Sequence, residues 1–204
     1  HPISENFIEL VETTFDEYPK LGIIAFQEVR GLFKSDKDAI KHSRTGVNYF
    51  SNDFVGCGFA IDKKVYDTTN GFPVWIDIYG EESAVAMEVL DLGYDILYRY
   101  DIKVNHRVNA KKRKNEGRNY YRFERQLKNS IRLYLVYFPK PLFKIAKLLF
   151  HNFKKYAMRD WKYFKSFNYV LFTTLFKLPY ILGFRKSIKQ STIVKMDTIK
   201  PLKY

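Results

Sequence analysis

Two adjacent glutamates, Glu81 and Glu82, directly follow a glycine and directly precede a run with helical periodicity, in the segment IYGEESAVAMEVLDLGY. Acids in the first turn of a helix complement its dipole, which stabilises the helix by about 0.3–1 kcal/mol. A carboxylate at the edge of a binding site can also act as a general base and remove a proton from a substrate hydroxyl. The pair is therefore a candidate either for helix structure or for catalysis.

Five further residues have chemistry suited to a binding site, namely Gly56, Cys57, Gly58, Trp75 and His106. The glycines let the backbone approach a ligand closely, or they allow a tight bend of a strand. The tryptophan can stack on a sugar ring, or it can be an ordinary core or rim aromatic. The histidine ends a predicted strand, where functional residues of α/β folds often collect. A single histidine is nevertheless more often structural than a metal ligand.

Helices and strands alternate in the first half of the chain. The predicted elements are a helix that Ser4 caps, a buried strand Gly22–Arg30, a strand and short helix within Asp53–Tyr66, a helix that Gly93 ends, and a strand that ends at His106. The polar residues 31–52 show no periodicity. This order predicts an α/β architecture with a mixed sheet.

Spacing also predicts which faces of these elements are buried. In the first helix the buried face comprises Phe7, Ile8, Val11 and Phe15. In the helix after the acid pair it comprises Val85, Val89 and Leu92, with Ala86 and Leu90. In the last strand, alternation places on one face Ile96, Tyr98, Tyr100, Ile102 and Val104.

The net charge of +13 is unevenly distributed. Residues 1–100 carry 9 Lys and Arg against 17 Asp and Glu, a net −8, whereas residues 101–204 carry 26 against 5, a net +21. Such asymmetry suggests an acidic working part joined to a basic surface that meets phosphates, lipid or nucleic acid. The single cysteine excludes an internal disulfide and fits a reducing compartment.

The second half predicts three or so helices between residues 119 and 185, after the basic run Lys111–Arg118. The middle helix has an apolar face on the side opposite its lysines. This face comprises Leu142, Ile145, Leu148, Leu149 and Phe153. Core packing explains such stripes, but helices that lie in a membrane interface have the same pattern. A spanning helix is not expected, because polar residues and a proline interrupt Phe167–Phe184.

Several well-known motifs are absent from the chain. It contains no phosphate-binding loop, no dinucleotide-binding glycine motif, no nucleophile elbow and no paired C-x-x-C. Asp36-Lys37-Asp38 has the acid-x-acid spelling of nucleotide-sugar enzymes, but no apolar strand precedes it. We therefore do not expect a metal site there.

The order FVGCGFAIDKKVYDTTNGF, YGEESAVAMEVLDLGYDILY and DIKVNH resembles the second half of the catalytic domain of family 2 glycosyltransferases. These are inverting enzymes of the GT-A fold, which is a mixed-sheet, Rossmann-like α/β fold. The resemblance implies that residues 1–110 are the acceptor and base side of that domain. It implies that residues 111–204 are a basic, aromatic helical region that associates with the membrane interface. The nucleotide-binding half with its D-x-D motif is expected to precede His1.

The same resemblance implies roles for individual residues. Glu82 matches the position of the general base, usually Asp in the family, and Glu81 matches its acidic neighbour. The strand Gly56-Cys57-Gly58 and Trp75 are the expected substrate-binding residues. His106 matches a position that, in some members, completes the site of a divalent metal (Mg²⁺ or Mn²⁺). That metal is expected to be bound mainly by the preceding half.

The expected function is transfer of a hexosyl or deoxyhexosyl group, with inversion, from a nucleotide-sugar donor to a saccharide or lipid-linked acceptor in bacterial surface polysaccharide synthesis. The expected location is the cytoplasmic face of the cell membrane, held peripherally by an anionic lipid surface; these 204 residues alone are not expected to turn over. Two alternatives stay open. A nucleic-acid-binding module would use the basic half, and a non-catalytic scaffold would use the membrane surface alone.

Overall fold

A computed structural model describes residues 1–109 and 119–202. The basic run Lys111–Arg118 and the boundary expected at residues 110 and 111 lie outside the described residues. The first half contains helices and strands in alternation, and the described part of the second half is helical. The α/β class and the mixed sheet predicted from the sequence are confirmed.

Four strands form one sheet within the described ranges. They are β1 (Leu21–Arg30), β2 (Tyr49–Ser51), β3 (Phe59–Ile61) and β4 (Asp95–His106), in the spatial order β2-β4-β1-β3. The central pair β1 and β4 is parallel, and both outer pairs are antiparallel. Because β1 is central, nearly all of its residues are buried, as its continuous apolar run predicts.

The alternation predicted for β4 is interrupted in its middle. Phe26 of β1 pairs with Arg99, but the next residue, Gln27, pairs with Lys103, so β4 contains additional residues at this point. The buried Gln27 side chain explains why the irregularity is tolerated, since its amide donates to the carbonyl oxygen of Tyr100 at 2.7 Å. The single buried face predicted for this strand is therefore wrong.

The two ends of β4 pack against different sides of the sheet. Ile96 and Tyr98 pack in the cluster that contains the helix after the acid pair. Ile102 and Val104 pack in the cluster beneath the first helix. An uneven register between parallel strands thus redirects the buried face along one strand.

The first helix, α1 (Phe7–Glu17), begins later than predicted. Ser4 is not its cap, because its hydroxyl donates to the carbonyl oxygen of Asp101 and accepts from the amide of Lys103, both at 2.8 Å. Ile8 is 60% exposed, and Leu10 packs toward the sheet instead. Ser4 therefore ties the N-terminal segment to β4.

Two short elements lie in the polar segment for which no periodicity was found. They are β2 and the helix α2 (Asp36–Lys41), which Ser35 caps by accepting from the amide of Asp38. The predicted strand and short helix within Asp53–Tyr66 correspond to β3 and α3 (Lys63–Asp67). Short elements carry too few residues for a periodic signal, so the cap was the usable clue.

The helix α4 (Glu81–Asp91) begins at the acid pair as predicted. Gly93, with a φ of 95°, follows its end and reverses the chain into β4. Val85 and Val89 are fully buried against the sheet. Leu92, which the spacing placed on the same face, is instead largely exposed.

The second half forms α5 (Tyr120–Tyr137), α6 (Pro141–Lys155), α7 (Trp161–Phe176), α8 (Leu178–Leu182) and α9 (Gln190–Thr198), with a 3₁₀ turn Ala157–Arg159. A single apolar cluster joins these helices to Trp75, to Ile76 and to Ala84 and Met87 of α4. Within residues 1–109 and 119–202, none of the helices has both the length and the apolar character needed to cross a membrane.

Candidate functional site

The Glu82 carboxylate lies against the glycine-containing loop that precedes β3. The backbone amide of Gly56 donates to Oε1 of Glu82 at 3.1 Å. A Cβ at position 56 would collide with that same oxygen, so any other residue there would displace the Glu82 carboxylate from this amide. The structure thus brings together Gly56 and Glu82, two residues selected independently from the sequence.

The environment of Glu82 favours the protonated form of its carboxyl. Burial is the largest effect and raises the pKa, and the nearby charge of Glu81 raises it further. Hydrogen bonds from the amides of Glu82 itself and of Gly56 oppose the shift. A carboxylate with a raised pKa is a stronger base, which suits proton abstraction near neutral pH.

A third carboxylate, Asp53, lies at the same helix start. Its Oδ2 accepts from the hydroxyl of Ser83 at 2.7 Å, and its Oδ1 accepts from the amide of Phe54 at 2.9 Å. Burial, and to a smaller extent the charge of Glu82, raise the pKa of Asp53 to about 6 although both hydrogen bonds oppose this. The loop before β3 and the start of α4 are therefore joined through two carboxylates.

Glu81 follows a turn with unusual backbone geometry. Tyr79 has a φ of 68° and Gly80 has a φ of 112°. A non-glycine residue in this region is strained, and such strain concentrates at functional sites. Oε2 of Glu81 is buried and has no hydrogen-bond partner among the described residues, so this oxygen is not exposed to water as it would be on an ordinary first-turn acid.

Helix α5 holds this turn in place from outside. Asn129, which is 1% exposed, donates to the carbonyl oxygens of Ile78 at 2.7 Å and of Tyr79 at 3.1 Å. The Arg122 guanidinium lies over the Tyr79 ring, 5.2 Å from its centroid. The strained backbone before the acid pair is thus fixed by side chains from the helical region.

A cavity of about 580 Å³ lies between this turn and the helical region. Gly80 and Ser83, on either side of the acid pair in sequence, contribute to its wall, whereas the acids themselves do not. The remaining wall is a mixture of aromatic and polar side chains, including Tyr79, Asn119, Arg122, Phe123, Gln126, Ser130, Asn152, Tyr156 and Tyr163. Its volume is within the range of small-ligand sites.

His106 and Cys57 lie together on the other side of the loop. The His106 Nδ1 pairs with Oε1 of Glu28, and Oε2 of Glu28 pairs with Nε of Arg30 at 2.7 Å. One ligand atom each from Glu28, Cys57 and His106 lie within 4.8 Å of one another. Burial and the neighbouring Glu28 raise the pKa of the Cys57 thiol to about 12.

The three side chains by themselves are a poor ligand set for Mg²⁺, one of the two metals that the resemblance implies. They provide one thiol, one imidazole and one carboxylate, whereas Mg²⁺ prefers oxygen ligands in near-octahedral geometry. The carboxylate of Glu28 is moreover already shared with Arg30. The assignment of His106 as a ligand of Mg²⁺ or Mn²⁺ stays a prediction, and no reaction step depends on it below.

Trp75 and Gly58 are both buried, and their assignment to substrate binding stays a prediction. Trp75 is 6% exposed and packs against Tyr137 and Phe184 in the core of the helical region, which is the core-aromatic alternative. It also contributes to the wall of a separate cavity of about 510 Å³. Gly58 is buried, and a Cβ there would come within 2.6 Å of Val104.

Sequence reasoning missed Asp53, Ser83, Tyr79, Asn129 and Glu28. Asp53 lies three residues before Gly56, and an acid at that position was the available signal. A positive φ at a tyrosine and a contact between residues about fifty positions apart leave no local pattern, so Tyr79 and Asn129 could not be found in this way.

Comparison of the chain with family models, with curated proteins and with solved structures found no match.

Proposed function

We propose that this chain forms the base and acceptor side of an inverting glycosyltransferase. The observation that carries the proposal is the placement of the Glu82 carboxylate on the amide of Gly56, beside Asp53 and with a raised pKa. In an inverting transfer, a base accepts the proton of the acceptor hydroxyl while that oxygen attacks the anomeric carbon of the donor. Glu82 is the base, and it returns the proton to solvent after the nucleotide leaves.

The cavity beside the acid pair is the proposed acceptor site. Its wall combines tyrosine rings, which stack on sugar faces, with amide, hydroxyl and guanidinium groups, which hydrogen bond to sugar hydroxyls. Its position next to Gly80 and Ser83 allows a bound saccharide to extend toward Glu82. The resemblance to family 2 glycosyltransferases supplies the reaction class.

A membrane surface is the proposed location of this reaction. On α7, the exposed side chains of Trp161, Lys165, Tyr169, Phe172 and Phe176 recur at intervals of three and four residues and form one face, called here the α7 stripe. The ammonium of Lys165 lies 5.5 Å from the Trp161 ring centroid. Aromatic and cationic side chains on one face fit the interface of an anionic bilayer. This surface would hold the enzyme near a lipid-linked acceptor.

The catalytic assignment is tested by Glu82→Gln in the protein expressed from its gene, assayed for transfer from a panel of nucleotide sugars. We expect turnover to fall about 10²–10⁴-fold, because glutamine cannot accept the proton. Donor binding should change little. The acidic limb of the wild-type rate profile should disappear in the variant, since that limb reports the titration of Glu82.

Glu81→Gln is the matched control, because it removes one charge from the adjacent position. We expect it to retain most activity. Loss of turnover in Glu81→Gln with activity preserved in Glu82→Gln would exchange the two roles. Full activity in both variants would contradict the assignment of a base to this acid pair.

A further inference from the structure

Four basic side chains surround a small cavity between α5 and α7, on a different part of the molecule from the acid pair. Arg125, Lys128 and Arg132 lie on one face of α5 at intervals of three and four residues, and Lys177 follows α7. The cavity volume is about 220 Å³. We propose that this cationic cavity binds a phosphoryl anion, such as a phosphate ester or a diphosphate.

Charge is the first argument. The two carboxylates of Asp77 and Glu124 face the four cations, so the cluster has an excess of positive charge. Asp77 pairs with Arg125 and lies 3.5 Å from the ammonium of Lys128, so one carboxylate is shared by two cations. Lys177 forms no ion pair with any residue in the described ranges. Anionic charge from a ligand would complete the balance.

The second argument is an unpartnered buried donor. Arg132 is 7% exposed, and its terminal NH1 donates to the carbonyl oxygen of Trp75 at 2.6 Å. Its Nε is buried and has no hydrogen-bond partner among the described residues. Buried guanidinium donors normally form hydrogen bonds, and a buried donor without one costs free energy of folding. Arg132 contributes to the cavity wall, so an anion in the cavity would lie beside a guanidinium whose hydrogen-bonding capacity is not fully used by the described residues.

The electrostatic state of Lys128 agrees with this geometry. The pKa of its ammonium is lowered to about 8, mainly by burial and then by the charges of Arg132, Arg125 and Lys177, against the opposing charge of Glu124. A bound anion reverses these effects, because it stabilises the charged form. The residue is therefore a reporter of occupancy as well as a ligand.

The surroundings of the cavity indicate where its ligand comes from. Tyr169, a member of the α7 stripe, contributes to the cavity wall together with Thr173. The stripe therefore borders the cationic cavity, and a bilayer against it would bring headgroup phosphates to the cavity. A soluble diphosphate has the same chemistry. The inference does not depend on glycosyl transfer, because none of these residues belongs to the acid-pair site.

Two probes separate these sources in experiments on the 204-residue chain. The first is inorganic diphosphate, measured by calorimetry and by NMR titration of the lysine ammonium groups. The second is phosphatidylcholine vesicles with a minor fraction of phosphatidic acid, measured by co-sedimentation. We expect the pKa of Lys128 to rise from about 8 when diphosphate binds. Binding of vesicles without diphosphate, with the same dependence on Lys128, would assign the site to a lipid headgroup.

The variants are Lys128→Gln and Lys177→Gln, each of which should weaken binding about tenfold, equivalent to about 1.4 kcal/mol. Lys144→Gln and Lys147→Gln on α6 are matched controls that remove the same charge elsewhere, and they should change the affinity little. Equal losses in variants and controls would show nonspecific attraction and overturn the proposal. An unchanged Lys128 titration together with no binding of either probe would also overturn it.

Discussion

At the scale of single residues, burial raises the pKa of two neighbouring carboxyl groups in the acid-pair site, Glu82 and Asp53, and the charge of Glu82 raises the pKa of Asp53 further. Asp53 and Glu82 lie close enough for the charge of Glu82 to act on Asp53, and both are partly removed from water. Ionising Asp53 beside a charged Glu82 is unfavourable, so protonation of Glu82 assists ionisation of Asp53. The site is therefore able to hold a proton at pH values where isolated carboxyls are fully ionised.

The pH dependence of stability tests the environment of Asp53. Its pKa is raised from 3.8 to about 6 in the folded protein, so the folded state favours the protonated acid. This contribution to stability is present below about pH 4 and is lost as pH rises through about 6. Asp53→Asn removes the titration. Relative to wild type, the variant should become more stable toward pH 7, by on the order of 1–3 kcal/mol after allowance for solvent screening.

The measurement is the free energy of unfolding by urea, determined for both proteins across this pH range. Ser83→Ala supplies an internal control, because it removes a hydroxyl that donates to the Asp53 carboxylate. Its loss should raise the pKa of Asp53 further, which carboxyl NMR can detect. Parallel stability curves for wild type and Asp53→Asn would show that Asp53 titrates as an ordinary exposed acid and would contradict the prediction.

Single residues were predictable from the sequence where a short local pattern marks them. Glu82 and Gly56 were found because an acid pair before a helix and a Gly-x-Gly pair are local patterns, and the structure joins them, although it places the glycines in the loop before β3 and not in the predicted strand. Ser4 was wrongly assigned as a cap because its hydroxyl bonds to the strand β4 almost a hundred residues away. Tertiary hydrogen bonds of this kind override a local preference.

At the scale of elements, α5 supports the turn before the acid pair. Its face toward that turn carries Asn129, whose amide reaches two consecutive carbonyl oxygens, one of them on the strained Tyr79. The same helix binds the carbonyl oxygen of Trp75 through Arg132. The segment 75–80 has little regular structure of its own, so these side-chain contacts fix its path.

Replacing Asn129 by alanine should destabilise the fold. The change removes the donor of two hydrogen bonds, to the carbonyl oxygens of Ile78 and Tyr79, which costs about 1–3 kcal/mol. Thermal unfolding of the 204-residue chain measures the effect. The variant should also lose affinity for saccharides in ligand-detected NMR, because the turn forms part of the cavity wall.

Asn168→Ala is the matched control for this variant. The Asn168 amide donates to the carbonyl oxygen of Phe164 within its own helix, which is a local bond of the same chemistry. Its loss should cost much less, since the helix already satisfies that carbonyl. Equal destabilisation by both variants would indicate that Asn129 acts only as an ordinary helix residue.

Elements with a long, regular hydrophobic pattern were predicted well. Features that depend on pairing with a neighbouring strand were not. β1 and α4 have long apolar patterns, and their bounds agree closely with prediction. The change of face in β4 follows from the register it adopts against β1, which a single strand does not reveal. The buried Gln27 that accompanies it has no distinguishing sequence pattern.

At the scale of the whole molecule, the acidic and basic halves share buried polar contacts as well as an apolar core. Glu88 on α4 is buried and accepts hydrogen bonds from Asn70, from the Tyr137 hydroxyl at 2.8 Å and from the Lys186 ammonium at 2.9 Å. Burial alone would raise the pKa of Glu88, but these donors lower it below its ordinary value. The acidic and basic halves of the sequence are therefore packed against each other through this buried contact, although their net charges differ.

The proposed membrane-binding surface is the α7 stripe on the outside of the helical region. Phe172 and Phe176 of the α7 stripe are 62% and 86% exposed. The 204-residue chain should bind vesicles containing anionic lipid more tightly than neutral ones. Salt should weaken this binding without abolishing it, because apolar insertion remains after screening. Phe172→Ser and Phe176→Ser together should reduce the vesicle-bound fraction in co-sedimentation, with a loss of affinity of about tenfold or more.

Ile8→Ser is the matched control for the membrane variants, because Ile8 is 60% exposed on α1 in the acidic half. Vesicle binding should be unchanged in Ile8→Ser, since residues 1–100 carry a net charge of −8 and repel an anionic surface. A loss of binding in Ile8→Ser equal to that of the phenylalanine variants would show that exposed apolar area, wherever it lies, drives adsorption. Indifference to lipid charge, combined with tight and salt-sensitive binding to RNA or DNA, would instead favour the nucleic-acid alternative, because phosphate backbones attract the same lysines through counterion release.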